Sequence, residues 1–398
     1  MAPRVRPWIL TAFGVGFFIY FSFVALVGAW AALCILLFVW EALLSRRYAP
    51  GARICLLGVA VSVGILAFFK YWNFVTGLVT TPLGSNAFEW RGAFLPLGVS
   101  FFTFEFIHYA VDRYKGRTEK GSLGEYLAFI FFFPTMVAGP IKRYQDFLPC
   151  LREPSRDWST DYNRGLTRIL VGLVKKFAFA DFLTSLTDHL NVQDISLASR
   201  PLLLLWLLAY GFKIYFDFSA YSDIAIGSGR LFGIKIPENF SWPYWRTNIA
   251  DFWRSWHISL YKWLVEYVFI PIGGSRGTLL FVCRNTLIVM MVSGIWHGAG
   301  LNFVVWGLWH GALLVGHRLW TVWREKRAHA AFSESVLSRD NPMGAVPTIT
   351  AKGVTSSTSL PLRIAGWALT FTLVNLGWAF FAMDLPTATF YFQRLLGG

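Results

Sequence analysis

The stretch Met291-Val-Ser-Gly-Ile-Trp-His297-Gly-Ala-Gly-Leu-Asn302, continued by Trp306-Gly-Leu-Trp-His310-Gly311, places two histidines in almost wholly apolar surroundings. An ionisable side chain inside a membrane-length apolar segment is costly, so its presence argues for a function. Arg284 precedes the stretch, and Arg318 and Arg324 follow it. Because Lys and Arg near helix ends mark the cytoplasmic side of a membrane, the chain is expected to enter near Arg284, reverse around Gly298 to Leu301, and return by Arg324. His297 lies 13 residues in from Arg284, and His310 lies 14 residues back from Arg324. At about 1.5 Å per residue both sit about 20 Å from the cytoplasmic face of a hydrocarbon core about 30 Å thick, which predicts similar depths in the outer half. The competing reading of each is a histidine that only bonds a neighbouring carbonyl and ties two helices together. Flanking Gly298 and Gly300 at a turn favour a functional His297, whereas His310 reads equally as a residue that orients a partner from within a helix.

Composition agrees with a membrane solvent. Hydrophobic residues are 55% and charged residues 15% of the 398, with mean hydropathy +0.49, which excludes an ordinary soluble globule. The net charge of +14 is spread over short loops between apolar segments, a topology signal rather than a phosphate-binding face, so no nucleic-acid partner is expected. Cys34, Cys55, Cys150 and Cys283 show neither CxxC nor Cys/His spacing, so neither a disulfide framework nor a metal site is expected. The first apolar segment, from Trp8, is too long for a signal peptide and lacks a clear cleavage site, which predicts a retained helix.

Taken in order, Arg4 and Arg6, apolar residues 8–27 and 30–44, and then Arg46, Arg47 and Arg53 predict a hairpin with a cytoplasmic amino terminus. A helix over 54–75 goes out, with Lys70 obliged to snorkel or pair, and one over 94–111 returns to a basic loop. Residues 127–141 are apolar but short, contain Pro134, Gly139 and Pro140, and have basic flanks. That pattern predicts a segment that dips in and comes back, which is tolerated where protein or water covers the backbone. A helix carrying Lys175 and Lys176 follows, then an acidic outer loop, then a helix over 201–218 with Asp217 and Asp223 near its end. These two carboxylates are expected to pair with Lys213 or Arg230. Residues 230–284 contain no run of 18 apolar residues, predicting amphipathic and re-entrant pieces at the interface. The whole reads as one all-α polytopic membrane domain, 1–398, with about nine to eleven transmembrane helices plus re-entrant and interfacial helices around a central funnel. A cytoplasmic linker over 325–361 and a terminal helix over 362–383 complete the expectation.

Several segments resemble one family in series: Leu95-Pro-Leu-Gly-Val-Ser-Phe-Phe-Thr-Phe104, Ala138-Gly-Pro-Ile141, Gly172-Leu-Val-Lys-Lys176, Tyr215-Phe-Asp-Phe-Ser-Ala-Tyr-Ser-Asp223, Pro237-Glu-Asn-Phe240, Asp251-Phe-Trp-Arg-Ser-Trp-His257, Ile270-Pro-Ile-Gly-Gly-Ser-Arg276 and Trp296-His-Gly-Ala299. Together they resemble the membrane-bound O-acyltransferases, in the bacterial branch of alginate O-acetylation and teichoic acid D-alanyl transfer. The matched core runs over about 95–322. The resemblance implies that His297 is the essential histidine, in a cavity opening away from the cytoplasm with a tunnel to the cytoplasmic side, and that His257 sits beside the tunnel mouth. It further implies a multi-pass protein of the bacterial inner membrane and an extracytoplasmic acyltransferase or polysaccharide machinery as partner. Leu264-Val-Glu266 departs from the Phe-Arg-Asp of alginate-type relatives, which leaves the acyl donor open.

The expected chemistry is transfer of an acyl group, acetyl in first place and D-alanyl in second, from a cytoplasmic thioester, acetyl-CoA or a carrier protein, to a hydroxyl outside. No cofactor beyond that donor is implied. A neutral imidazole at His297 suits the base that takes the hydroxyl proton. Trp296 is expected to wall the pocket, and Asn302 or His310 to fix the tautomer or polarise the thioester carbonyl. Gly273-Gly274 with Arg276 reads either as a plain turn or as a cradle for a donor phosphate. The rival classes are a small-solute transporter, with the histidines as relay groups, and a non-catalytic scaffold that recruits an acyltransferase.

Overall fold

The computed structural model describes residues 5–25, 52–80, 96–153, 157–337 and 359–397, and the expected helix over 30–44 lies outside them. Among the described residues every regular element is a helix: α1 (Arg6–Ala25), α2 (Ala52–Thr80), α3 (Val99–Tyr114), α4 (Leu123–Ile130), α5 (Tyr144–Arg152), α6 (Trp158–Val174), α7 (Asp181–Thr187) and α8 (Val192–Leu197). They are followed by α9 (Arg200–Leu231), α10 (Ile249–Ser255), α11 (Ile258–Leu264), α12 (Leu279–His297), α13 (Leu301–Leu337), α14 (Leu360–Ala382) and α15 (Leu385–Leu396). Four of these are long and apolar enough to cross a membrane: α2, α9, α12 and α14. Outward-facing Leu56, Phe177 and Phe182 are about two-thirds exposed, as lipid-facing side chains would be.

Lipid tails are as apolar as leucine, so helices in a membrane are held by close approach and polar contacts. Both devices are present. Gly165 of α6 meets the Gly227 carbonyl of α9, Gly227 in turn meets the Gly165 carbonyl, and Gly172 meets the Ala220 carbonyl. A methyl group at any of the three would collide with that backbone. Along the same seam Asp223 lies between Arg168 at 2.5 Å and Lys175 at 2.6 Å, Lys176 bridges Asp181 and Asp217 at 2.8 and 2.9 Å, and Arg230 meets Asp161 at 3.1 Å. The expected pairing of Asp217 and Asp223 with Lys213 or Arg230 is therefore replaced by pairing across to α6 and the π-helical turn Lys175–Ala180. Asp217, Asp223, Lys213 and Arg230 all belong to α9, and the α6 cations approach the carboxylates from the facing helix. These pairs also explain why α9 continues to Leu231, well past the expected end at 218.

The short apolar segment after the basic loop is broken in the middle. α4 opens on a capping box, in which the Glu125 amide donates to Ser122 Oγ at 3.2 Å and the Ser122 amide to Glu125 Oε2 at 2.6 Å. It ends at Ile130, and a 3-10 turn at Phe133–Thr135 follows. Protein covers the non-helical backbone beyond it: the Ile141 amide donates to Ser259 Oγ at 3.0 Å and the Tyr144 amide to His108 Nε2 at 3.1 Å. The Lys142 ammonium bonds Glu105 in a buried pair.

Two boundaries differ from expectation. The first third of the expected linker, 325–337, is the end of α13, because Glu325-Lys-Arg-Ala-His-Ala-Ala331 is rich in helix formers and free of Gly and Pro. The remainder to 358 lies outside the described residues. After the terminal helix, Asp384 caps a further helix, α15, by accepting from the Thr387 amide at 2.9 Å, with Pro386 in its first turn.

The histidine stretch forms the expected hairpin, α12 turning into α13 at Gly298–Gly300. Its helices touch at glycine: Gly294 lies against the Phe303 carbonyl, Gly307 against the Met290 carbonyl and Gly311 against Leu287. This crossing fixes where His297 sits relative to the aromatic residues of α13.

Candidate active site

His297 is the last residue of α12, and Gly298 leaves the helix in extended backbone at φ −163°. A side chain at Gly298 would overlap the Phe303 ring, so the chain reverses without displacing the imidazole. That ring is enclosed edge-on by Trp296 at 4.7 Å, Trp306 at 5.0 Å and Phe381 at 5.0 Å between centroids. It makes no side-chain hydrogen bond among the described residues, which leaves both nitrogens available to a ligand. His297, Trp296 and His257 share a cavity of about 220 Å³ whose remaining wall includes Phe101, Phe218 and Trp378.

His257 is held very differently. It is 2% exposed and has φ 44°, a conformation disfavoured for a residue with a Cβ and kept when the surroundings over-determine it. Those surroundings centre on Asn239, which is fully buried. The Asn239 Oδ1 accepts from the Ser259 amide at 3.2 Å and from Ser259 Oγ at 2.9 Å, and its Nδ2 donates to Ser222 Oγ at 3.2 Å. A backbone amide can only donate, so the oxygen of Asn239 must face this side. His257 Nδ1, 3.1 Å from the same oxygen, therefore carries the proton as donor, and Nε2 holds the lone pair in the neutral ring. Nε2 has no hydrogen-bond partner, and the ring lines the cavity of His297.

A second cavity, of about 370 Å³, reaches His257 from the other side. Its lining includes the basic side chains Arg254 and Arg318 and also His317, together with Ser293, one turn before His297. The Ser293 hydroxyl is buried without a partner. His257 belongs to both cavities. A molecule entering from the Arg318 side and one in the His297 cavity would thus meet at this imidazole.

Of the residues singled out from sequence, the fold brings together His297, Trp296 and His257. Asn302 is elsewhere: its amide donates to the Phe380 carbonyl at 3.0 Å, tying α13 to α14, and it lines an open basin with Asp384, Thr389 and Gln393. His310 is fully buried, separated from His297 by Trp306, which lies 5.0 Å from each ring. It faces Trp253 at 5.1 Å and Phe252 at 6.5 Å, neither of its nitrogens is hydrogen-bonded, and it lines neither cavity. Trp306 and His310 are four residues apart on one face of α13, so the Trp306 ring stands between the two imidazoles. Gly273 and Gly274, at φ 112° and 57°, make a tight turn whose Gly274 carbonyl accepts from Asn285 Nδ2 at 3.0 Å. Ser275 of that turn lines the second cavity, and Gly273, Gly274 and exposed Arg276 do not.

Sequence reasoning passed over Asn239, which sits inside the quoted Pro237-Glu-Asn-Phe240 motif. It also left Lys70 without a partner. Lys70 Nζ donates to the Trp296 carbonyl and Tyr71 OH to the Ile295 carbonyl at 2.5 Å, both at the end of α12. The signal for Lys70 was available as a lone cation in a membrane-length apolar run, but its target needs the packing of α2 on α12.

Comparison with known proteins bears on the same residues. The model of MBOAT, the membrane-bound O-acyltransferase family, matches residues 31–336. The chain is 36% identical over 346 residues to a Pseudomonas syringae pv. tomato protein named "Probable alginate O-acetylase AlgI", covering 85% of this chain and 59% of that protein. It is 34% identical over 372 residues to the peptidoglycan O-acetyltransferase of Helicobacter pylori, covering 86% of this chain and 64% of that protein. It is 28% identical over 316 residues to the teichoic acid D-alanyltransferase of Bacillus subtilis, covering 74% and 77%. The chain thus spans less than two thirds of the length of the first two relatives. The family model covers more than half of the chain, His257 and His297 included, and the chain belongs to the membrane-bound O-acyltransferase family.

Proposed function

We propose that this chain is a membrane O-acyltransferase that moves an acyl group, acetyl in first place, from a cytoplasmic thioester to a hydroxyl on an extracytoplasmic polysaccharide or on a partner acyltransferase. The observation that carries the reading is the meeting of two cavities at His257, with His297 in one of them and basic residues along the other. The donor, acetyl-CoA or a carrier-protein thioester, enters beside Arg254 and Arg318, which suits an anionic carrier. The acceptor hydroxyl enters the aromatic cavity of His297. In this reading the basic ends of the hairpin and the amino terminus face the cytoplasm, and the spanning helices surround a central funnel.

In the reaction the hydroxyl oxygen attacks the thioester carbonyl carbon while His297 takes its proton. The tetrahedral intermediate collapses by breaking the carbon–sulfur bond, and the thiolate leaves, recovering the proton from the imidazolium. Excluding water from an aromatic cavity favours the acceptor over hydrolysis. His257, with its Nδ1 proton held by Asn239, presents a fixed ring at the junction and orients the reacting groups. The runner-up acyl group is D-alanyl, which rests on the similarity to the Bacillus subtilis relative.

The test is replacement of His297 with Ala and with Gln, each variant confirmed in the membrane, and measurement of alkali-labile acetyl and D-alanyl esters on envelope polymers. Loss of one ester class in both variants is expected and identifies the acyl group. Retention of both classes, against loss on deletion of the chain, refutes His297 as base and favours a scaffold. If deletion changes neither ester, solute flux through the chain alone becomes the reading to test.

A further inference from the structure

We infer that Lys70 is a positioning residue for His297: its ammonium closes the end of α12 through the Trp296 carbonyl and supplies that helix end with its cation. The inference rests on the transferase reading above and concerns a residue of α2, far from the motifs in sequence.

The last carbonyls of a helix have no partner within it, and in apolar surroundings an unsatisfied carbonyl is costly. α12 ends abruptly, since extended Gly298 does not fold back to bond the final turn. Side chains do so instead. Tyr71 OH donates to the Ile295 carbonyl at 2.5 Å, and Lys70 Nζ donates to the carbonyl of Trp296, the residue immediately before His297. The same ammonium lies 5.5 Å from the centroid of the Trp296 ring, within cation–π range. Lys70 therefore grips both the backbone and the side chain of the residue that walls the cavity.

Its charge is the second part of the argument. Lys142 meets Glu105, Lys175 meets Asp223, and Lys176 meets Asp181 and Asp217. Lys70 has no carboxylate partner among the described residues. Its counter-charge is the negative end of the α12 dipole, where a cation is favoured. With Lys70 in that place, the helix end has its cation without calling on the imidazole, and the His297 lone pair stays free to take a proton.

Inverted membrane vesicles carrying the full chain would be supplied with [14C]acetyl-CoA, and ester-bound label counted against donor concentration for wild type, Lys70→Met, Lys70→Arg and His297→Ala. Rates are normalised to folded protein, measured by gel filtration of a fluorescent fusion. Lys70→Met is expected to lower kcat about 100-fold per folded molecule, the scale of a misplaced catalytic group, with KM for acetyl-CoA within about twofold. Lys70→Arg keeps a cation and donors and is expected to recover about tenfold of that loss. Wild-type kcat in Lys70→Met beside an inactive His297→Ala overturns the inference and leaves the transferase reading standing. Equal loss in Met and Arg assigns the effect to packing and also overturns it. Wild-type rates in both Lys70→Met and His297→Ala overturn the inference and the role of His297 together.

Discussion

Replacing Asn239 with Ala tests whether the geometry around His257 is built by this one side chain. Asn239 accepts from His257 Nδ1, from the Ser259 amide and from Ser259 Oγ, and donates to Ser222 Oγ. The Ala variant leaves at least two buried donors unpaired, the Ser259 amide and His257 Nδ1. At about 1–3 kcal/mol for each buried polar group left without a partner, the loss is about 2–6 kcal/mol. His257 also loses a contact that helps to hold its left-handed backbone, so its ring is expected to swing from the junction. At about 2–4 °C per kcal/mol for domains smaller than this one, the melting temperature in detergent should fall by about 5 °C or more. Acyl transfer per folded molecule should fall further than the folded fraction does, because the ring at the cavity junction is no longer fixed. The assay is thermal unfolding by fluorescence-detected gel filtration alongside ester quantification. An Asn239→Ala variant that melts within 1 °C of wild type and transfers normally, taking the resolution of such melts as about 1 °C, would refute the argument.

Other expectations follow from the packing. Gly307→Leu drives a side chain into the Met290 carbonyl, and loss of most folded protein is expected by gel filtration, with Gly316→Leu, which meets nothing nearby, as the tolerated control. Tyr244→Phe removes the hydroxyl that donates to the Gly211 carbonyl at 2.6 Å and accepts from Trp378 Nε1 at 3.0 Å, so stability should fall by about 1–3 kcal/mol with transfer retained. His310→Phe keeps the ring in its aromatic box and should leave folding and transfer near wild type; an inactive, folded variant would show that the His310 nitrogens matter. Glu125, bonded to Arg152 at 2.6 Å, has its carboxyl lowered to about 2. A carboxylate whose pKa is lower when folded stabilises fully above its unfolded value of about 4.5 and loses that contribution as pH falls toward 2. Between pH 5 and pH 3 wild type should therefore lose melting temperature faster than Glu125→Gln, and parallel slopes would count against the pairing.

The sequence by itself determined the class of solvent, most of the helices and the hairpin carrying His297. These follow from local properties: apolar runs of membrane length, glycines where the chain reverses, and basic residues at the ends. The sequence also singles out His257 and Trp296, and the fold brings both to the cavity of His297. The limits appear where an assignment depends on direction or on a distant partner. His297 and His310 are equivalent by depth along the hairpin, yet Trp306 separates them, since the rotation of α13 on α12 is set by Gly294 and Gly307 meeting backbone and Gly311 meeting Leu287. Gly273-Gly274 with Arg276 reads equally as a plain turn or as a cradle, whereas only the side-chain directions in the turn place Ser275 at the cavity. Asn302 reads as a site residue, but the packing of α14 gives its amide the Phe380 carbonyl. Asn239 and Lys70 become informative only when α9, α11 and α2 are assembled around them. A hydrogen-bond donor or a charge is visible in a sequence, but its partner is chosen by the packing of helices that are far apart along the chain.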